Sequence, residues 1–315
     1  MIGIAKNTKE GITQMKLNHL WHKGALLCLS CLLLWGCGTQ ENAGQQPETP
    51  AQEANAQSEE NKEAAAEKAP AYLTVADDLS NLALDNAETP VYDRYTLAQR
   101  REKGLPTALP AITPYKQGKV AYLTFDDGPD EKNTAAVLDI LKQEGVKATF
   151  YVTGRNVRNF PDTAKRIFEE GHALGNHSYD HDYKRLYASV GSYIEEMEQA
   201  DEAIYELLGV RPLITRAPSG RMGNFTKAYE DAIAANGYVE HDWNVSSADT
   251  APGNPTAQDF IDNIAGQATT DSVIILMHSS GGHEETVKAV PEIIRILRER
   301  GYTFGVVTPM TPQPW

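Results

Sequence analysis

The chain has 315 residues, with 43 Asp and Glu against 29 Lys and Arg, for a formal net charge of −14. Phosphate binding needs basic stripes, so this balance excludes a nucleic-acid partner. The length admits one large domain or two ordinary ones, and the average composition is globular, but that average hides a sharp change along the chain.

Residues 1–37 read as a targeting segment. Lys16 and Lys23 give a basic start, and 25–35 is an apolar core too short for a stable spanning helix. Met15 opens a more typical signal peptide than Met1, so either translation starts there or the first residues are tolerated extra length. The segment ends Leu34-Trp35-Gly36-Cys37. Leu three places before a Cys, with Gly just before it, resembles a bacterial lipobox, although Trp35 is bulkier than that motif usually carries. The other reading is a plain signal peptide cut near Gly38. The lipobox resemblance implies lipidation of Cys37, a diacylglycerol membrane anchor, and a place outside the cytoplasm at the cell surface. Cys28 and Cys31 would leave with the signal, so the mature chain would contain no disulfide.

Residues 38–70 carry almost no apolar side chain larger than Ala. Glu41, Glu48, Glu53, Glu59, Glu60, Glu63 and Glu67 stand against Lys62 and Lys68. Such a stretch cannot bury enough surface to offset chain entropy, and it reads as a disordered acidic tether. Residues 71–115 form a partly ordered lead-in. The apolar spacing at 72–84 and 92–102 is compatible with helix, before Pro106, Pro110 and Pro114 prevent regular structure.

From 116 to 310 strand and helix patterns alternate. Strands are predicted at 120–125, 148–152, 172–176, 213–216, 238–241, 273–277 and 303–307. Helices are predicted at 134–144, 161–170, 189–208, 226–236 and 284–300, each stopped by a glycine: Gly145, Gly171, Gly209, Gly237 and Gly301. Alternation over seven units implies parallel strands with right-handed crossovers, hence an α/β fold of the distorted (β/α)7-barrel type, closed or nearly closed. Sites in such folds form at the C-terminal strand ends.

Ionisable residues cluster at those ends. Asp126 and Asp127, in the run Thr124-Phe125-Asp126-Asp127-Gly128-Pro129, follow the first strand. Strand side chains alternate faces, so the doublet suits a division of labour, one carboxylate on a metal and the other moving a proton. His177 and His181 are four apart, which on a helical turn puts both rings on one face. With Asp127 they make an open three-ligand site suited to Zn²⁺, with Co²⁺, Fe²⁺ or Ni²⁺ as other ions it would accept. Arg216 ends the fourth strand, Trp243 and Asp249 follow the fifth, and His278 follows the sixth. His172, His241 and His283 read as strand-edge or loop histidines without a role.

Thr124–Pro129, His177–His181, Arg216-Ala217-Pro218-Ser219-Gly220, Trp243 to Asp249 and Leu276-Met277-His278 resemble the five ordered motifs of NodB-type polysaccharide deacetylases, carbohydrate esterase family 4. The resemblance implies that Asp127, His177 and His181 hold a metal. It implies that Asp126 is the base, Arg216 its partner, and the Ser219 backbone N–H an oxyanion donor. His278 would be the acid, with Asp249 holding its ring, and Trp243 and Leu276 would form a notch for the acetyl methyl. Ser219 stands where Tyr is common, Ser246 and Thr250 where Asp and Trp are common, and Ser279 where Asp is common. These changes bear on the substrate groove. The implied partner is an N-acetylated cell-wall glycan, with the protein a monomer. O-deacetylation of a polysaccharide such as xylan, or non-catalytic glycan binding, are the competing readings.

Overall fold

A computed structural model describes residues 73–79, 82, 89–114 and 118–314. The targeting segment, Cys37, the tether and parts of the lead-in lie outside those residues. Strands in chain order are β1 (Thr74–Ala76), β2 (Val91–Asp93), β3 (Val120–Asp126), β4 (Thr149–Val152), β5 (Ala173–Asn176), β6 (Arg211–Pro212), β7 (Ile214–Thr215), β8 (Val239–Glu240), β9 (Val245–Ser246), β10 (Ser272–His278) and β11 (Thr303–Gly305). The main sheet runs β8-β7-β5-β4-β3-β10-β9, with β11 also on β3, and every pair in it is parallel.

The sheet must curl. Laid flat, six strand spacings would separate β8 from β9, roughly 29 Å. Yet only residues 241–244 join them, and the chain from Glu240 to Val245 reaches at most about 18 Å. The two ends of the sheet are thus drawn together by one short connection, as the barrel reading requires. The distortion sits at β3. Its N-terminal half pairs with β11, from Thr303↔Val120 to Gly305↔Tyr122, and its C-terminal half with β4, from Thr124↔Thr149 to Asp126↔Tyr151.

Alternation along β3 sorts its side chains. Ala121, Leu123 and Phe125 join the large core between sheet and helices, with Val137, Leu141 and Ile294. Val120 and Tyr122 join Tyr151, Ala173, Ile214, Ile274, Val306 and Val307 in a second cluster that fills the curl. Thr124 and Asp126 continue that inner face toward the strand end.

Helices Asn133–Glu144, Pro161–Glu169, Val190–Leu208, Lys227–Ala235 and Glu284–Glu299 stand where the pattern placed them. Helices Gly154–Asn159, Tyr183–Leu186 and Ala257–Gln267 were not anticipated. The lead-in differs from its helical reading: β1 lies within 72–84, and the helix in 92–102 starts only at Leu97, after β2. Thr96 sets that start, because its hydroxyl caps Gln99 N–H while Gln99 bonds back to Thr96 N–H. β2 pairs antiparallel with β6, and buried Asp93 bridges Arg100 (2.6 Å) and Arg211 (2.7 Å). Lead-in and barrel share a charge cluster closed to water.

Candidate metal centre and proton-transfer site

One backbone angle divides the Asp126-Asp127 doublet. Asp126 ends β3 on its inner face, and the next residue turns left-handed, with Asp127 at φ 68°, which re-aims its carboxylate. Asp126 Oδ1 accepts a hydrogen bond from Arg216 Nη1 at 2.9 Å. That guanidinium is fully buried and also donates to Thr124 Oγ1 (2.6 Å), His241 O (2.9 Å) and Asp242 O (3.1 Å). Its carbon lies 4.2 Å over the Tyr151 ring. Gly175 makes room for that ring, since a Cβ there would come within 2.4 Å of it. With four donor contacts and a stacked face, Arg216 has one available position, and Asp126 is held by it.

Asp127 Oδ1 faces His177 Nε2 at 3.5 Å and His181 Nε2 at 3.4 Å, and is buried with no hydrogen-bond partner. His177 Nδ1 lies 2.8 Å from Arg216 O. The carbonyl can only accept, so Nδ1 carries a proton, and in the neutral ring the Nε2 lone pair points at Asp127. A cation bound at about 2.0–2.2 Å by tetrahedral donors separates them by roughly 3.4 Å, which the spacing to both imidazoles matches. The orphaned oxygen, the fixed tautomer and the spacing together fit a divalent cation on Asp127, His177 and His181.

The two histidines do not meet through a helical turn. Residues 177–181 form a loop with Ser178 at φ 67° and His181 at φ 63°. Ser178 N–H bonds Asn176 Oδ1 (2.9 Å), and His181 N–H bonds Ser178 Oγ (3.1 Å). These short-range side-chain bonds shape the turn in place of a helix. Burial opposes the Asp127 charge, but the neighbouring imidazoles hold its carboxyl well below the ordinary range. Burial lowers His181, and so does a charge on His177 when that ring is protonated.

Across the rim, His278 Nδ1 lies 2.9 Å from Asp249 Oδ1. Asp249 Oδ2 accepts His278 N–H (2.7 Å) and Thr286 Oγ1–H (2.9 Å). Burial disfavours the imidazolium, but this carboxylate outweighs it and pushes His278 up to about 9. Asp249, His278 and His283 also have the donor types for a cation. Both Asp249 oxygens are already engaged, however, in hydrogen bonds to His278 and Thr286.

Leu276 lies on the inner face of β10 between Ile274 and His278, nearly buried. Trp243 packs on the inner cluster, and its ring covers Gly220, where a Cβ would sit 3.0 Å from it. Ser219 is exposed at φ 69° on the rim. The structure thus brings every motif residue to one end of the sheet. It adds residues that the sequence reading passed over. Tyr183, half exposed, meets the His181 ring edge-on at 5.0 Å. His283, read as having no role, stacks on His278 at 5.2 Å. Buried Glu240 accepts Ala217 N–H (2.6 Å) and Thr215 Oγ1–H (2.9 Å), bracing the Arg216 turn. The HisXXXHis spacing could have suggested Tyr183, two residues beyond it. Nothing local marks Glu240.

The polysaccharide deacetylase family profile matches residues 114–240. A peptidoglycan-N-acetylglucosamine deacetylase of Bacillus cereus is 40% identical over 193 residues, covering 60% of this chain and 69% of that protein. The crystal structure of a polysaccharide deacetylase from Bacillus cereus superposes with a TM-score of 0.57 at 38% identity, covering 60% of this chain and 92% of the other. The catalytic domain of a peptidoglycan N-acetylglucosamine deacetylase from Eubacterium rectale gives a TM-score of 0.57 at 32% identity, covering 65% and 95%.

Proposed function

This chain belongs to the polysaccharide deacetylase family, whose members are hydrolases, and on that premise we propose that it removes N-acetyl groups from cell-wall peptidoglycan in a metal-dependent reaction. The observation that carries the reading is the split doublet: Asp127 oriented with two imidazoles at cation spacing, and Asp126 beside it on a buried arginine. Asp127, His177 and His181 would hold the ion, with Zn²⁺ the best match for two imidazoles and a carboxylate. When bound, it supplies Lewis acidity to water and to the amide carbonyl.

The remaining roles belong to the chain itself. Asp126 takes a proton from the attacking water, and Arg216 keeps that carboxylate pointed. The Ser219 backbone N–H donates to the amide oxygen as charge develops there. His278 enters the reaction protonated and passes its proton to the departing amine, while Asp249 orients the ring and stabilises its charge. Trp243 and Leu276 bound the space for the acetyl methyl. Relatives named for N-acetylglucosamine support that sugar over N-acetylmuramic acid. We also propose that lipid on Cys37 carries the enzyme on the outer face of the membrane, with residues 38–70 as its reach into the wall. Detergent-phase partitioning that a Cys37→Ser change fails to reduce would contradict the anchor.

Mass spectrometry of peptidoglycan digested with the Zn²⁺-loaded protein tests the activity. The expected products are acetate and glucosamine-containing muropeptides, and chelation should abolish both. Release from O-acetylated xylan with none from peptidoglycan would favour the ester reading instead.

A further inference from the structure

One short helix, Gly154–Asn159, holds both loops that carry the cation donors. On one side Thr153 N–H donates to Gly128 O (3.0 Å), and the Asn156 side-chain Nδ2–H donates to Asp127 O (2.7 Å). On the other, Gly154 N–H donates to Ser178 O (3.1 Å) and Arg155 N–H to Tyr179 O (2.8 Å). The packing is close enough that a Cβ on Gly154 would lie 2.6 Å from the Tyr179 ring and 2.7 Å from Ala200 Cα.

The held loops are the strained ones. Asp127, Ser178 and His181 all have left-handed backbone, a conformation that costs a non-glycine residue on the order of 1 kcal/mol or more. Such a conformation persists only where surrounding contacts fix it. The Asp127 carbonyl is fixed by a single side chain, that of Asn156, and the other three bonds of the set are backbone to backbone.

We propose that Asn156 is a positioning residue for the cation site. Its carboxamide fixes the Asp127 peptide and so the direction in which that carboxylate leaves the chain. The three donors then stand at cation spacing before any ion arrives. The role rests on reading Asp127, His177 and His181 as the ligands, and it assigns Asn156 no contact with the reacting atoms.

The test compares full-length parent, Asn156→Ala and Asn156→Asp, the last keeping the size while losing the donor. Metal-free protein is titrated with Zn²⁺ against a chromophoric chelator, and the Co²⁺ form is read by its visible spectrum. Removing a group that orients a ligand weakens metal binding by about 10–100-fold, and that loss is expected in both variants. Activity should return at saturating Zn²⁺ with KM for the glycan unchanged, and metal-free melting should stay near the parent's. If one variant fails to fold, the other carries the comparison. Zn²⁺ affinity within about twofold of the parent's would overturn the proposal, as would a raised KM at full metal loading. A parent that binds no Zn²⁺ would instead overturn the reading of the ligands.

Discussion

Asp126 and Asp127 have the same side chain and opposite surroundings, and the left-handed turn at Asp127 is the cause. Across the rim the same kind of specialisation turns a histidine into an acid. An ordinary imidazole titrates near 6.5 and is mostly neutral at pH 7. Burial works against the charge on His278, and the Asp249 carboxylate prevails, so the proton stays until about pH 9. In the proposed reaction that proton passes to the leaving amine, so activity should fall as pH rises through that value. Replacing Asp249 by Asn removes the charge that raises His278. The alkaline limb of the kcat profile should then move toward neutrality, with kcat at pH 7 lower by on the order of 10²-fold. An unmoved limb would show that another group donates. The linkage has the same sign for stability. Because the folded pKa is raised, the dyad's stabilisation is full below about 6.5 and is lost as pH rises through about 9.

At the scale of elements, the lead-in is joined to the barrel by charge as well as by pairing. Asp93 on β2 is fully buried, with Arg100 and Arg211 on either side, and Arg211 also approaches Asp201 at 3.7 Å. Removing the carboxylate leaves two buried guanidinium groups short of a counter-charge. Breaking such a set costs about 3–5 kcal/mol, so Asp93→Asn should lower the denaturant midpoint by that equivalent. A shift below about 1 kcal/mol would mean that the cluster contributes little. None of this was legible in the sequence, because Asp93 and Arg211 are 118 positions apart and neither sits in a motif. What was legible is local. Alternating apolar residues and glycine stops placed seven of the eight strands of the main sheet and five of the helices, and the strand ends placed the site. The turn at 177–181 was misread because histidines four apart suit a helix as well as a loop, and the deciding bonds come from Asn176 and Ser178. β9 escaped notice because two residues, Val245 and Ser246, become a strand only by pairing with Ile275 and Leu276.

At the scale of the molecule, the curl of the sheet makes one site from distant segments. β8 and β9 are two ends of a single run of chain, and joining β7 to β10 through it sets Arg216 and Trp243 opposite Leu276 and His278. Motifs from Asp126 to His278 thereby surround one space where a glycan N-acetyl group would meet base, cation ligands and acid together. Acetate release from peptidoglycan by Zn²⁺-saturated parent and Asp126→Asn protein, at equal zinc content, tests this assignment most directly. The account predicts that the variant binds zinc as the parent does and loses activity by roughly 10²–10⁴-fold. Turnover at the parental rate, with zinc fully bound, would contradict it.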